Sequence, residues 1–389
     1  MVKYAELFSQ KEMPNDLFDE LDLKIANFKK QGIEVMDFGV GDPAKTLGVD
    51  PILIEKFNNS YAKISYEKFQ YAGYPGNRGD GEFLNSAIAY LLAQHNIKVS
   101  NQEIMICNGS KSAVSMVSRI VLDVDDIIIC PTPSYPNFAI GAKLFNAKPY
   151  FMPLLKENNF LIDFKSIPLE IANKAKAIWI NYPNSPSGAI APYEYLVELI
   201  NWCHKYDIVL FSDEAYIDIY FDKPQVSPLS ITKEGVLAFY SLSKSFNLTN
   251  ARLGFIAGDE ELIGKSFKLF NMYNDGVPSL IQHFGAIALD SSKELLPKLR
   301  EDYTKKANLI KNIFVDIFNC KPANHSQGSI FLWQEVPEGF DDVSFCKYLL
   351  DKQIATLPGS KFSEYGKNYI RLALIQSLEN VIKMKERLK

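Results

Sequence analysis

The segment Tyr240-Ser241-Leu242-Ser243-Lys244-Ser245-Phe246 empties an apolar run into a small polar turn with one lysine, and Arg252 follows eight residues after that lysine. A lysine amine condenses with a carbonyl when its neighbours lower its pKa. Hydroxyls beside a guanidinium are what a phosphate monoester needs. A second segment, Phe211-Ser212-Asp213-Glu214-Ala215-Tyr216, ends an apolar run in a carboxylate. Such a group is costly if buried and unpaired, and it suits a cationic ring nitrogen. A third, Asn108-Gly109-Ser110-Lys111-Ser112, lies between a strand pattern and a helix pattern, where the N–H groups of a helix start can hold an anion. A fourth, Asn181-Tyr182-Pro183-Asn184-Ser185-Pro186-Ser187-Gly188, is a turn rich in Pro and Asn. Taken singly, these segments also read as a surface lysine, a capped helix start and a plain loop.

The elements around them decide which reading holds. Apolar runs at 103–107, 126–130, 175–181, 208–212, 236–241 and 253–257 predict strands, and the patterns at 15–30, 82–92, 111–122 and 193–206 predict helices. This alternation is the signature of an α/β fold with a mostly parallel sheet covered by helices. In such folds ligands sit beyond the C-terminal ends of the strands, which is where all four segments fall. Farther on, the patterns change to helices at 293–319, 342–351 and 378–388 and strands at 329–336 and 367–374. These predict a second, smaller α+β domain over 291–389, joined by an arm over 1–45, beside a large domain over 46–290.

Bulk composition narrows the partners. Among 389 residues, 47% are hydrophobic and 23% charged, the profile of a globular protein long enough for two domains. Lys and Arg number 42 against 46 Asp and Glu, so the basic excess of a nucleic-acid or membrane-surface binder is missing. Only six residues are Arg: 78, 119, 252, 300, 371 and 387. Five widely spaced cysteines with no CxxC pair predict free thiols in a reducing, cytoplasmic setting. Four scattered histidines show no metal-ligand spacing. The start of the chain lacks the apolar core of a signal peptide. No run approaches the roughly 18 apolar residues of a membrane span.

Together the four segments describe a site for pyridoxal 5'-phosphate (PLP), with a lysine for its carbonyl, an Asp for its ring nitrogen and a cradle for its phosphate. At this point the chain resembles the class I/II aminotransferases, the fold-type I PLP-dependent enzymes, from 39 to 371. That resemblance implies Lys244 as the Schiff-base lysine, Asp213 as partner of the pyridine nitrogen and Tyr216 as donor to the ring 3-oxygen. Ser110, Lys111, Ser241, Ser243 and Arg252 match the phosphate-holding positions. Tyr135, in Pro133-Ser134-Tyr135-Pro136-Asn137, matches the aromatic residue that stacks on the ring. Tyr74, in Tyr74-Pro75-Gly76-Asn77-Arg78-Gly79, matches the tyrosine that reaches the phosphate of a neighbouring subunit, so a homodimer with shared sites is implied. Gly41, in Gly39-Val40-Gly41-Asp42-Pro43, matches the substrate-side glycine loop. Arg371, in Tyr369-Ile370-Arg371-Leu372, matches the clamp on the substrate α-carboxylate. Arg78 reads either as an interface residue or as a second anion clamp. His325 reads as a surface residue or one near the substrate.

One departure stands out. The family's Asn-Pro-Thr-Gly turn reads Ser185-Pro186-Ser187-Gly188 here, so a shorter hydroxyl replaces the amide that reaches the ring 3-oxygen. Asn184 or a bridging water is left to fill its place. The implied activity is ping-pong transfer of an amino group between an amino acid, or related amine, and a 2-oxo acid. A PLP-dependent amino-acid decarboxylase of the same scaffold, such as one acting on an O-phospho amino acid, is the alternative. A ligand-responsive regulator is a third reading, opposed by the intact Lys, Asp and Arg set. The N-terminal arm, 274–279, Arg78 and His325 are the expected readers of the substrate side chain, for which diaminopimelate, aspartate, alanine and aromatic amino acids stay open.

Overall fold

A computed structural model describes residues 19–43, 47–61 and 74–389. Elements are numbered here in chain order within those residues. The strands are β1 (Met36–Asp37), β2 (Ile104–Cys107), β3 (Ile127–Thr132), β4 (Lys148–Pro153), β5 (Ala175–Asn181), β6 (Val209–Asp213), β7 (Val236–Ser241), β8 (Gly254–Gly258), β9 (Phe331–Glu335), β10 (Ile354–Ala355), β11 (Leu357–Pro358) and β12 (Tyr369–Ala373). The helices are α1 (Asp19–Lys30), α2 (Pro51–Tyr61), α3 (Gly81–His95), α4 (Gly109–Met116), α5 (Asn137–Lys143), α6 (Leu169–Ala172), α7 (Tyr193–Lys205), α8 (Leu242–Ser245), α9 (Glu260–Phe270), α10 (Ser279–Asp290), α11 (Ser292–Phe318), α12 (Asp342–Asp351) and α13 (Leu378–Leu388).

Seven strands form one sheet in the order β2-β8-β7-β6-β5-β3-β4. The pairs β3–β4, β3–β5, β5–β6 and β6–β7 are parallel. Strand β8 runs antiparallel to both of its neighbours. Every residue of β7 is buried, and all but one of β5, because helices cover both faces and the strands need apolar side chains on each. This explains why the central strands read as unbroken apolar runs. Edge strand β4 escaped the sequence reading for the opposite reason. It carries Pro149 and Pro153, and Phe151 is half-exposed; an edge tolerates proline and an exposed face.

The helix expected at 111–122 starts earlier and ends as α4, followed by a 3-10 turn over Val117–Ile120. Four residues of the helix expected at 15–30 lie outside the described residues. Near the C-terminus, β11-β12-β9 form an antiparallel sheet, and β1 pairs in parallel with β10. Met36 and Phe38 pack in one apolar cluster with Tyr303, Ile310, Phe314, Ile370 and Leu372. Residues 36–38 thus pack into the C-terminal core. Helix α11 serves two cores: Leu295 and Leu296 pack against the large sheet, and Tyr303 to Phe314 against the small one. Among the described residues no helix is long and apolar enough to cross a membrane.

Candidate active site

Several chain segments converge on one cavity of about 340 Å³, a size usual for small-molecule sites. Strand β6 delivers Asp213, β7 runs into the short helix α8 that carries Lys244, and the turn after β2 opens α4 with Ser110 and Lys111. Arg371 comes from β12, and Gly41 from the loop after β1.

Ser241 caps α8, its hydroxyl accepting from Ser243 N at 3.3 Å. That fixes the turn that aims Lys244 inward, where its Nζ donates to Gly41 O at 2.6 Å. Burial lowers the amine to about 8; Asp42 opposes the shift, while Arg371 and Arg252 add to it. The neutral, nucleophilic amine is therefore within reach at ordinary pH. Asp213 is 5% exposed. Its Oδ1 accepts from Ala215 N at 3.2 Å. Burial pushes this carboxyl up to about 7, and the adjacent Glu214 adds to the effect. Such a group is short of a cationic partner.

Arg371 is buried, with Nη2 donating to Gly39 O at 2.7 Å and the guanidinium centred 4.0 Å from the Phe331 ring and 4.9 Å from Phe362. Strand register explains the first contact: Phe331 pairs with Ala373 and Trp333 with Arg371, so Phe331 and Arg371 are diagonal neighbours on one face. Burial lowers Arg371 to about 10, and it stays cationic at neutral pH. Gly41 is set by the same ring, since a Cβ there would meet Phe331 Cζ at 2.5 Å.

The anion cradle is formed where α4 begins. Gly109 has φ +70°, and a Cβ on it would come within 2.8 Å of Arg252 Nη2. Glycine is thus needed both for its backbone angle and to let the guanidinium approach the helix start. Arg252 itself adopts φ 51°, with Nη1 donating to Thr249 O at 2.8 Å. Ser110, Lys111, Ser241 and Ser243 line the same end of the cavity, a donor set suited to phosphate. Tyr135 lines the wall and meets Phe138 edge-on at 5.8 Å. Tyr216 lines it too; burial chiefly disfavours ionisation of its phenol, and the Ser185 hydroxyl acts in the opposite sense.

Four expected residues are not brought to the cavity. Asn184 is 1% exposed and consumed within its turn: Oδ1 accepts from Ser187 N at 3.0 Å and Ser187 Oγ at 2.7 Å, and Nδ2 donates to Asn181 O at 3.2 Å. It therefore cannot replace the amide missing at 185. Arg78 donates to the carbonyls of Gln102 and Ile104 and lies over Phe267, tying down the approach to β2 instead of facing substrate. Tyr74 is 89% exposed and does not line its own chain's cavity. His325 is half-buried, its ring tilted against Phe160 at 4.4 Å and its pKa lowered to about 4 by burial, and it does not line the cavity.

Sequence reasoning missed Asn181, Asp42, Phe331 and Phe362, all of which line the cavity. Asn181 Nδ2 donates to Asp213 O and its Oδ1 accepts from Ser185 N, each at 2.8 Å. It sits at the C-terminal end of β5, which was the available signal. Among the described residues no group of three or more His, Cys, Asp or Glu could hold a metal. All five cysteines are free thiols, four of them buried.

Comparison with known proteins follows this geometry. The family model for aminotransferase class I and II matches residues 33–384. The LL-diaminopimelate aminotransferase of Aquifex aeolicus (strain VF5) is 33% identical over 388 residues, covering 97% of each chain. That of Halothermothrix orenii is 32% identical over 384 residues, covering 97% of this chain and 96% of the relative. Among solved structures, substrate-bound BacF of Bacillus subtilis superposes with a TM-score of 0.89 at 24% identity, over 100% of this chain and 97% of that one. A probable N-succinyldiaminopimelate aminotransferase of Thermus thermophilus gives 0.85 at 24% identity, over 96% and 99%. The names of these relatives do not favour the decarboxylase alternative. Matched by the family model over most of its length, and by relatives over nearly all of it, the chain belongs to the aminotransferases of class I and II.

Proposed function

We propose that this aminotransferase works with PLP held by Lys244 and takes LL-diaminopimelate as amino donor, with a 2-oxo acid as acceptor. The observation that carries the reading is the meeting of Lys244, Asp213, Arg252 and Arg371 in one cavity. Their spacing in sequence is wide, and a shared ligand accounts for their convergence. The donor is inferred from the relatives' names. The residues fit the cofactor on two counts. Asp213 is a buried carboxyl that a cationic ring nitrogen would return to its ionised form. Arg252 reaches the start of α4 so closely that a Cβ on Gly109 would meet its Nη2 at 2.8 Å, and this guanidinium beside the helix-start N–H groups suits a phosphate.

When bound, PLP supplies an electron sink for the charge left at the substrate Cα. Arg371 would hold the substrate α-carboxylate with its planar fork, which packs against the Phe331 and Phe362 rings. Lys244 Nζ, neutral near pH 8, takes the Cα proton and returns it. Asp213 keeps a proton on the ring nitrogen. Tyr216 donates toward the ring 3-oxygen, and Asn181 holds the Asp213 backbone against the Ser185 turn. Tyr135 flanks the ring.

The same reading makes the protein a homodimer, with Tyr74 serving the partner's site. The free cysteines support a reducing, cytoplasmic setting. The test is a single-turnover screen of amino donors, followed by absorbance. LL-diaminopimelate is expected to convert the cofactor to its amine form without release of carbon dioxide. Carbon dioxide release with no need for a 2-oxo acid would overturn the reading.

A further inference from the structure

Behind the backbones that carry Asp213 and Lys244 lies a second set of buried polar side chains, which the transfer reaction above does not use. Glu214 is 1% exposed. Its Oε1 accepts from Ser212 Oγ at 3.0 Å and from Ser227 Oγ at 2.7 Å. Its Oε2 has no protein partner, although the Tyr240 phenol is close enough to act on the carboxyl. Asp218, also 1% exposed, accepts from the Tyr90 hydroxyl at 2.6 Å and meets His95 Nε2 at 3.1 Å. Ser245, the residue after Lys244, lines the same cavity as Asp218 and helps hold its carboxyl below the usual range.

Tyr90, Glu214, Asp218, Tyr240 and Ser245 line a common cavity of about 10 Å³. That is room for the centre of one water, and a buried water typically takes about three hydrogen bonds. The orphan oxygen of Glu214 and the Asp218–Ser245 pair supply polar partners on both sides.

We propose that this cavity is a binding site for one structural water, and that Glu214, the water and Asp218 brace the turn bearing Lys244 against the loop bearing Asp213. Glu214 adjoins Asp213 in sequence, and Ser245 adjoins Lys244. The brace therefore spans the two groups that must keep their distance across one ring. Asp218, Glu214 and Ser245 act through their neighbours and are positioning residues. The water site stands on its own geometry; its consequence for turnover rests on the Lys244 and Asp213 reading.

A high-resolution crystal structure of the PLP-loaded protein tests the site. One ordered water bonded to Glu214 Oε2 and to Asp218 or Ser245 is expected. A Glu214 Oε2 paired directly with protein, or facing no water, overturns the site. Ser245→Ala tests the brace, removing one hydroxyl while Asp218 keeps Tyr90 and His95. The variant is expected to fold and bind PLP, with kcat down about tenfold and KM roughly constant. The pH midpoint of the cofactor's absorbance band should shift, and Ser245→Thr should restore most of both. Unchanged kcat and an unchanged midpoint in Ser245→Ala overturn the positioning role. A parent protein with no such band would instead overturn the Lys244 reading and leave the water site standing.

Discussion

At the scale of single residues, burial acts on two groups of the site in different pH ranges. Asp213 moves from 3.8 to about 7 on folding. Between those values the folded protein keeps a proton that the unfolded chain has lost, so a cost grows as pH rises and is complete above about 7. Lys244 moves from 10.5 to about 8. Its cost is complete below about 8 and fades as pH rises toward 10.5, where both states are neutral. Both costs, on the order of 3 kcal/mol each, coincide between the two folded values. On the proposed reading, bound PLP would relieve both, since its ring nitrogen would pair with Asp213 and its carbonyl would take up the Lys244 amine. The rise in melting temperature on adding PLP should therefore peak at about pH 7–8 and shrink below about pH 5 and above about pH 10. Thermal melts of loaded and unloaded protein across pH check this, and a rise independent of pH would contradict it. Lys244 and Asp213 drew notice in the sequence because each closes an apolar run, whereas Arg371 was singled out only by the family resemblance. Asn184 was misplaced because the direction of a side chain within an irregular turn depends on hydrogen bonds that no periodicity encodes.

At the scale of elements, the turn after β5 and the start of α4 make separable predictions. Asn184→Ala breaks three bonds inside the turn and leaves buried donors unpaired, so it should cost about 1–3 kcal/mol of stability. Ser185→Ala should cost little stability but move the pH midpoint of the cofactor band, because it removes the hydroxyl that favours ionisation of the Tyr216 phenol. Denaturant melts and absorbance titrations of the two variants check the contrast, and identical behaviour would refute it. Gly109→Ala sets a Cβ against the Arg252 guanidinium and strains a backbone at φ +70°. Equilibrium titration with PLP should show affinity falling about tenfold or more, and wild-type affinity would remove Arg252 from the cradle. The central strands were readable because burial on both faces leaves one composition. Strands β1, β10 and β11, of two residues each, were not, since so short a pairing is set by its neighbours and carries no pattern of its own.

At the scale of the whole molecule, the fold class followed from the alternation of patterns, but the shared cavity required the C-terminal sheet to lay Arg371 over Gly39, 332 residues away in sequence. Beyond the single chain, Tyr74 is 89% exposed, Met272 79% and Tyr273 58%. Asn77 bonds Asn271, and Pro75 lies against Gly276, so these side chains share one apolar surface that suits a second copy of the chain. Light scattering should find a dimer, and Tyr74→Ala should weaken PLP retention although Tyr74 lies outside its own cavity. A monomer with full turnover would contradict the shared site. The central claim, that Lys244 holds PLP, is tested most directly by reducing the loaded protein with borohydride, digesting it and locating the pyridoxyl group by mass spectrometry. The account predicts the label on Lys244 alone; a label on Lys111 or any other lysine, with Lys244 unmodified, would contradict it.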